Sequence, residues 1–151
     1  MKSSRATGVV ENSSAPWVST IESAIRDSMW MLKLGQDWDD EGSPPIEEAT
    51  WKVATDFLRR QADAHWRRHS KMIPVPHITP GSDGSIDIHW RTEQFELLVN
   101  IQRGPEFSAG FYGDNYGRLK IKGVLDPSSE SAYLPLDYVW STSTLAVGRD
   151  T

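Results

Sequence analysis

The feature that most restricts how this chain can fold is a run of period-two alternation through residues 86–125. Ile86, Ile88 and Trp90 alternate with Asp87 and His89. Phe95, Leu97, Val99 and Ile101 alternate with Glu96, Leu98, Asn100 and Gln102. Phe107, Ala109 and Phe111 alternate with Ser108, Gly110 and Tyr112. Leu119, Ile121 and Leu125 share one phase, and Arg118, Lys120 and Lys122 take the other. Successive side chains of a strand point to opposite faces, so this pattern marks half-buried antiparallel strands. The connections at 91–94, 103–106 and 113–117 are short, which predicts a meander of four strands.

Two helical periods precede the sheet. Ile21, Ile25, Met29 and Leu32 recur at spacings of four, four and three, with Trp17, Trp30 and Leu34 widening the stripe. The helix is expected to start between Ser14 and Ser19. Ser19-Thr20-Ile21-Glu22 fits a capping box, and Gly35 is a natural left-handed stop. Pro44-Pro45 suits the start of a second helix with Glu47 and Glu48 in its first turn. That helix carries Ile46, Ala49, Val53, Phe57 and Leu58 on its buried stripe and runs to about His69. Prolines at 74, 76 and 80 exclude helix and predict an extended crossover or edge segment, with a turn over 81–85. The expected fold is α+β: two antiparallel helices on a four-stranded antiparallel meander, in two layers. Residues 15–140 form the single domain, between flexible tails at 1–14 and 141–151. Leu134 to Trp140 is expected to pack back as a short helix or strand.

Composition bounds the partners. A chain of 151 residues with 38% hydrophobic residues and seven Trp can build a core unaided. The net charge of -5 argues against a general nucleic-acid binder. There are no cysteines, which rules out disulfides and thiolate zinc sites and favours a reducing compartment. Met1 to Pro16 lacks the apolar stretch of a secretory signal, and no run reaches the roughly 20 apolar residues of a membrane helix. A cytoplasmic protein without membrane contact is the expectation.

Between the helical periods lies Gln36-Asp37-Trp38-Asp39-Asp40-Glu41-Gly42-Ser43-Pro44-Pro45. Counted from Asp37, the residues Asp37, Asp39, Glu41, Gly42 and Glu48 fall at places one, three, five, six and twelve of a helix–loop–helix calcium site. Such sites come in pairs, whereas this loop is single and stiffened by two prolines. The competing reading is structural: Asx turns and helix launching account for acidic residues beside Gly and Pro, with Trp38 plugging the end of the core. The second reading assigns Trp38, Asp39, Gly42 and Pro45 to a hinge that sets two helices against the sheet. The stretch Trp38-Asp39-x-x-Gly42-x-Pro44-Pro45-Ile46, with Asp83-Gly84-Ser85-Ile86-x-Ile88-x-Trp90 downstream, resembles a family of small, largely uncharacterised bacterial proteins. The resemblance covers about residues 30–101 and transfers no catalytic residue. It also implies that Asp37, Glu41 and Glu48 are not family features.

Three other groups could carry function. His65 and His69 share a helix face at the spacing zinc sites use, with His77 and His89 as further ligands if the fold gathers them. Arg59, Arg60, Arg67, Arg68 and Lys71 with Trp66, and the strand stripe of Arg118, Lys120 and Lys122, could meet phosphates or an acidic partner. Asp87, His89 and Glu96 could form a proton-transfer group on the exposed sheet face. No nucleophile elbow, phosphate loop or dinucleotide fingerprint is present. The preferred expectation is a non-enzymatic interaction protein of accessory, antitoxin or immunity type. It would bind a protein partner, or a second copy of itself, through a sheet face bearing His89, Tyr112, Lys120 and Lys122 and through the basic helix end. The aromatic-rich tail around Tyr133, Leu134, Tyr138 and Trp140 would either cover the sheet or dock the partner. A calcium-stabilised domain and a small acid–base enzyme are the alternatives; nucleic acid enters only through the basic patch.

Overall fold

The structure, a computed structural model, describes residues 15–117, 119–129 and 135–136. Its frame is an antiparallel sheet of five strands, each paired with its neighbours in sequence. These are β1 His77–Pro80, β2 Ile86–Arg91, β3 Glu96–Ile101, β4 Ala109–Asp114 and β5 Lys120–Leu125. The expected four-stranded meander is therefore corrected to five strands. The extra one comes from the proline-rich segment, as Ile78 pairs with Ile88 and Pro80 with Ile86. A proline lacks the amide a central ladder needs, so this short strand can only sit at an edge.

Register stacks the apolar phases on one face. Ile88 lies opposite Val99, and Val99 opposite Phe111. Ile86, Ile88, Leu97, Val99 and Ile101 are fully buried there, and Trp90 nearly so. The Trp90 indole N–H donates to the Pro74 carbonyl at 2.7 Å, which joins the proline-rich segment to the core. Gly113 lies on the same face, where the Ile121 and Leu97 side chains close over the place a Cβ would occupy.

Two helices cover that face: α1 Pro16–Asp27, continued by a 3-10 segment Ser28–Lys33, and α2 Glu48–His69. α1 begins at Pro16 behind an extended Ala15, with no side-chain cap. The Ser19 capping box does not form, because the helix has already begun at Pro16 and Ser19 lies inside it; Glu22 pairs with Arg59 of α2. The 3-10 segment changes the helical phase from 3.6 to about 3.0 residues per turn. Burial then runs Ile25, Ser28, Met31, while Met29 and Trp30, expected on the stripe, are exposed. The segment ends at an extended Leu34, and Gly35 is not left-handed.

α2 starts at Glu48, after the two prolines rather than on them, with Glu47 extended. Its buried face is Thr50, Ala54, Thr55, Phe57, Leu58, Gln61, Ala62 and His65. Ala49 is exposed and Val53 half-buried, which corrects the expected stripe. Ile46 is buried but precedes the helix. Thr50 and Gln61 take core-facing places that a count of apolar residues passes over. The helix closes on Ser70 in the left-handed conformation, its N–H bonded to the Trp66 carbonyl.

Glu22 joins Arg59, and the Trp51 indole N–H donates to Ser28 Oγ at 2.9 Å. The two links run in opposite senses along the chain, so the helices are antiparallel. The expected packing segment at 134–140 lies outside the described residues except for 135 and 136, where Leu136 is buried in the core. The expected tails at 1–14 and 141–151 also lie outside them. Among the described residues, no helix is long and apolar enough to cross a membrane.

Candidate interaction face and the loop between the helices

The loop at 36–47 is held by its own carboxylates. Asp39 Oδ1 accepts from the Glu41 and Ser43 amides at 3.0 and 3.2 Å, and Oδ2 from the Ser43 hydroxyl at 2.5 Å. These bonds, the Ser43 hydroxyl foremost, hold the Asp39 carboxyl below the usual carboxylate range. Asp37 Oδ1 accepts from the Gly42 amide at 2.7 Å. The Trp38 indole N–H donates to the Pro44 carbonyl at 3.1 Å, so this half-buried ring closes the loop on itself. Asp37, Asp40 and Gly42 all have positive φ. Asp tolerates that conformation better than most residues, and Gly has no Cβ to strain. Pro45 is exposed in the extended stretch that leads to α2, and Glu41 and Glu48 are exposed. Asp37 Oδ1 and both carboxylate oxygens of Asp39 accept donors from the loop. Among the described residues, no three His, Asp or Glu side chains group so as to hold a metal ion. The His65 and His69 rings lie tilted at 44° with centroids 4.5 Å apart, His65 buried; His77 and His89 lie opposite each other on the sheet.

The basic cluster divides. Arg59 forms a two-pronged pair with Glu22, with Nε–Oε2 at 2.6 Å and Nη2–Oε1 at 2.9 Å, and its other prong reaches Asp56 at 2.8 Å. That pair lowers the Glu22 carboxyl and raises the Arg59 guanidinium. Arg60 donates to the Pro127 carbonyl. Arg67 pairs with Asp63 one helical turn away at 2.8 Å. Arg68 is exposed at the helix end. Two of the four arginines expected to meet a partner therefore hold the fold together.

The solvent face of the sheet is laid out in rows by register. His77, His89, Leu98, Tyr112 and Lys122 form one row across all five strands. Thr79, Asp87, Asn100, Gly110 and Val124 form the next, and Arg91, Glu96, Asp114 and Lys120 a third. The acids of this face have donors within the chain. Glu96 Oε2 meets His89 Nε2 at 2.7 Å and Arg91 at 3.2 Å, and the contact with His89 is the main cause of its lowered pKa. Asp87 accepts from Asn100 Nδ2 at 2.7 Å, so of the expected triad only His89 and Glu96 come together. Asp114 Oδ1 accepts from the Tyr116 and Gly117 amides.

The lysines differ: among the described residues, neither the Lys120 nor the Lys122 side chain makes a hydrogen bond or ion pair. Beside them Tyr112 is 42% exposed and Val124 75% exposed. Val124 was not among the expected site residues. Its signal is a large apolar residue in the lysine phase of β5, where every second residue faces solvent. Arg118 lies outside the described residues. Compared with known proteins, the chain matches no family model, and no solved structure matches it significantly.

Proposed function

We propose that this chain is a non-enzymatic interaction domain, an accessory or immunity-type factor that binds another protein with the solvent face of its sheet. The observation that carries the reading is the β4–β5 end of that face, where Tyr112 and Val124 are exposed beside two lysines that have no partner among the described residues. Interface centres favour aromatic anchors within a polar rim, and such a surface serves binding without any reacting group. The His89–Glu96 pair supports this reading better than proton transfer. Its proton acceptor is already engaged by Arg91, and a base needs a free site facing its substrate. The basic end of α2 is the lesser surface, since Arg59 and Arg60 are held within the chain.

The test is site-specific photo-crosslinking in the native host. A crosslinking residue at Val124 or Tyr112 is expected to trap a defined protein, and the same residue at Lys52 on the outer side of α2 is not. Equal trapping at all three positions, or none at Val124 and Tyr112, would overturn the reading.

A further inference from the structure

The β5 edge carries the reading one step further. Asn115 N–H donates to the Leu119 carbonyl at 3.0 Å, which makes that pair a hydrogen-bonded one in the β4–β5 ladder. Hydrogen-bonded and non-bonded pairs alternate in an antiparallel ladder. Ile121, Gly123 and Leu125 therefore bond to β4, and the amides and carbonyls of Lys120, Lys122 and Val124 point outward. Lys120, Lys122 and Val124, whose backbone groups face this edge, are all exposed. On the core face, Ile121 and Leu125 are only half-buried, whereas the equivalent residues of β2 and β3 are fully covered. The opposite edge is different. β1 has four residues, ends in Pro80 and follows Pro74 and Pro76, and prolines and short length blunt an edge against pairing.

We infer that β5 is a docking edge for an acidic extended segment of a partner protein, added to the sheet as a sixth strand. This rests on the interaction reading and gives its partner a chemistry. On the solvent face the added strand would set carboxylates, two residues apart, beside Lys120 and Lys122, and an apolar side chain beside Val124. Its alternate residues, also apolar, would extend the half-finished core beyond Ile121 and Leu125. Main-chain bonds supply affinity in such additions and alternate side chains supply selectivity. Charge decides between occupants. A second copy paired about Lys122 would set that lysine against its own copy, and like charges directly opposite are destabilising. An acidic strand meets the same two lysines favourably, because the acids already on the face are engaged by His89, Arg91, Asn100 and the β4–β5 turn.

The probes are three labelled, end-capped heptapeptides followed by fluorescence anisotropy against the full chain. One alternates valine with glutamate, one alternates valine with lysine, and one is the glutamate peptide N-methylated at every second residue. The glutamate peptide is expected to bind at least tenfold more tightly than the other two. The double variant K120E/K122E, altered only at exposed positions, is expected to reverse the preference towards the lysine peptide. Equal binding of the acidic and basic peptides, indifference to N-methylation, or an unchanged preference in the variant would overturn the inference. So would self-association of the free chain that K120E/K122E abolishes. If Val124 crosslinks a partner while the glutamate peptide fails to bind, this inference falls and the interaction reading stands. If neither occurs, both fall.

Discussion

Arg59 shows how a residue's type and its use can part company. Five cations near the end of a helix read as a solvent-facing or partner-facing cluster. Yet the planar guanidinium matches a carboxylate in two-pronged geometry, and Glu22 stands 37 positions earlier in the chain. A separation of that size leaves no local signal, so the link is invisible in sequence. Asp39 is the opposite case, since its bonds reach residues two and four positions on and Asx-turn chemistry foretells them. The Glu22 carboxyl has its pKa lowered by Arg59. A carboxyl whose folded pKa is depressed adds stability that is complete above the ordinary carboxylate range and lost as pH falls through the folded value. Urea unfolding from about pH 5 down to about pH 2 is therefore expected to show a steeper loss in the parent chain than in Glu22→Gln. At pH 7 the variant is expected to be the less stable of the two. Parallel pH profiles would show that the pair contributes nothing.

At the scale of elements, the strands were legible because a period of two is dictated by the pleat. All four alternating runs became β2 to β5. β1 was half hidden: its prolines excluded helix and left edge strand and crossover equally open. The helices were found, but their phases were not. The turn into 3-10 geometry at Ser28 brings Met31 inward in place of Met29, and nothing in residue type marks where a helix tightens. Gly113 exposes a further constraint. A Cβ there would lie 3.0 Å from Ile121 Cγ1 and 3.1 Å from Leu97 Cδ1. Gly113→Val must push two core side chains off their places, and overpacking of this kind costs about 1–3 kcal/mol. Denaturant unfolding of the variant is the check, and an unchanged midpoint would mean that β4 and β5 part more readily than their packing implies.

Over the whole molecule, one face of the sheet is committed to the helices and the other is left with rows of polar residues that end in exposed Tyr112 and Val124. Tryptophans divide the same way. Trp90 is buried in the core with its indole bonded to the Pro74 carbonyl, whereas Trp30 is 52% exposed. Trp90→Ala is expected to cost about 3–5 kcal/mol, the usual range for emptying a large core site. Trp30→Ala is expected to stay within about 0.5 kcal/mol, as exposed substitutions do. Thermal unfolding of the pair separates core from surface directly. Two surfaces competed for the interaction role; among the described residues the cations of α2 are partly engaged within the fold while Lys120 and Lys122 of β5 are not. The deciding measurement is hydrogen exchange on the chain alone and in complex with the protein trapped through Val124. Binding is expected to slow exchange at the outward amides of Lys120, Lys122 and Val124 and to leave the 67–71 end of α2 unchanged. Protection confined to that end of α2, with β5 exchanging as before, would contradict the assignment.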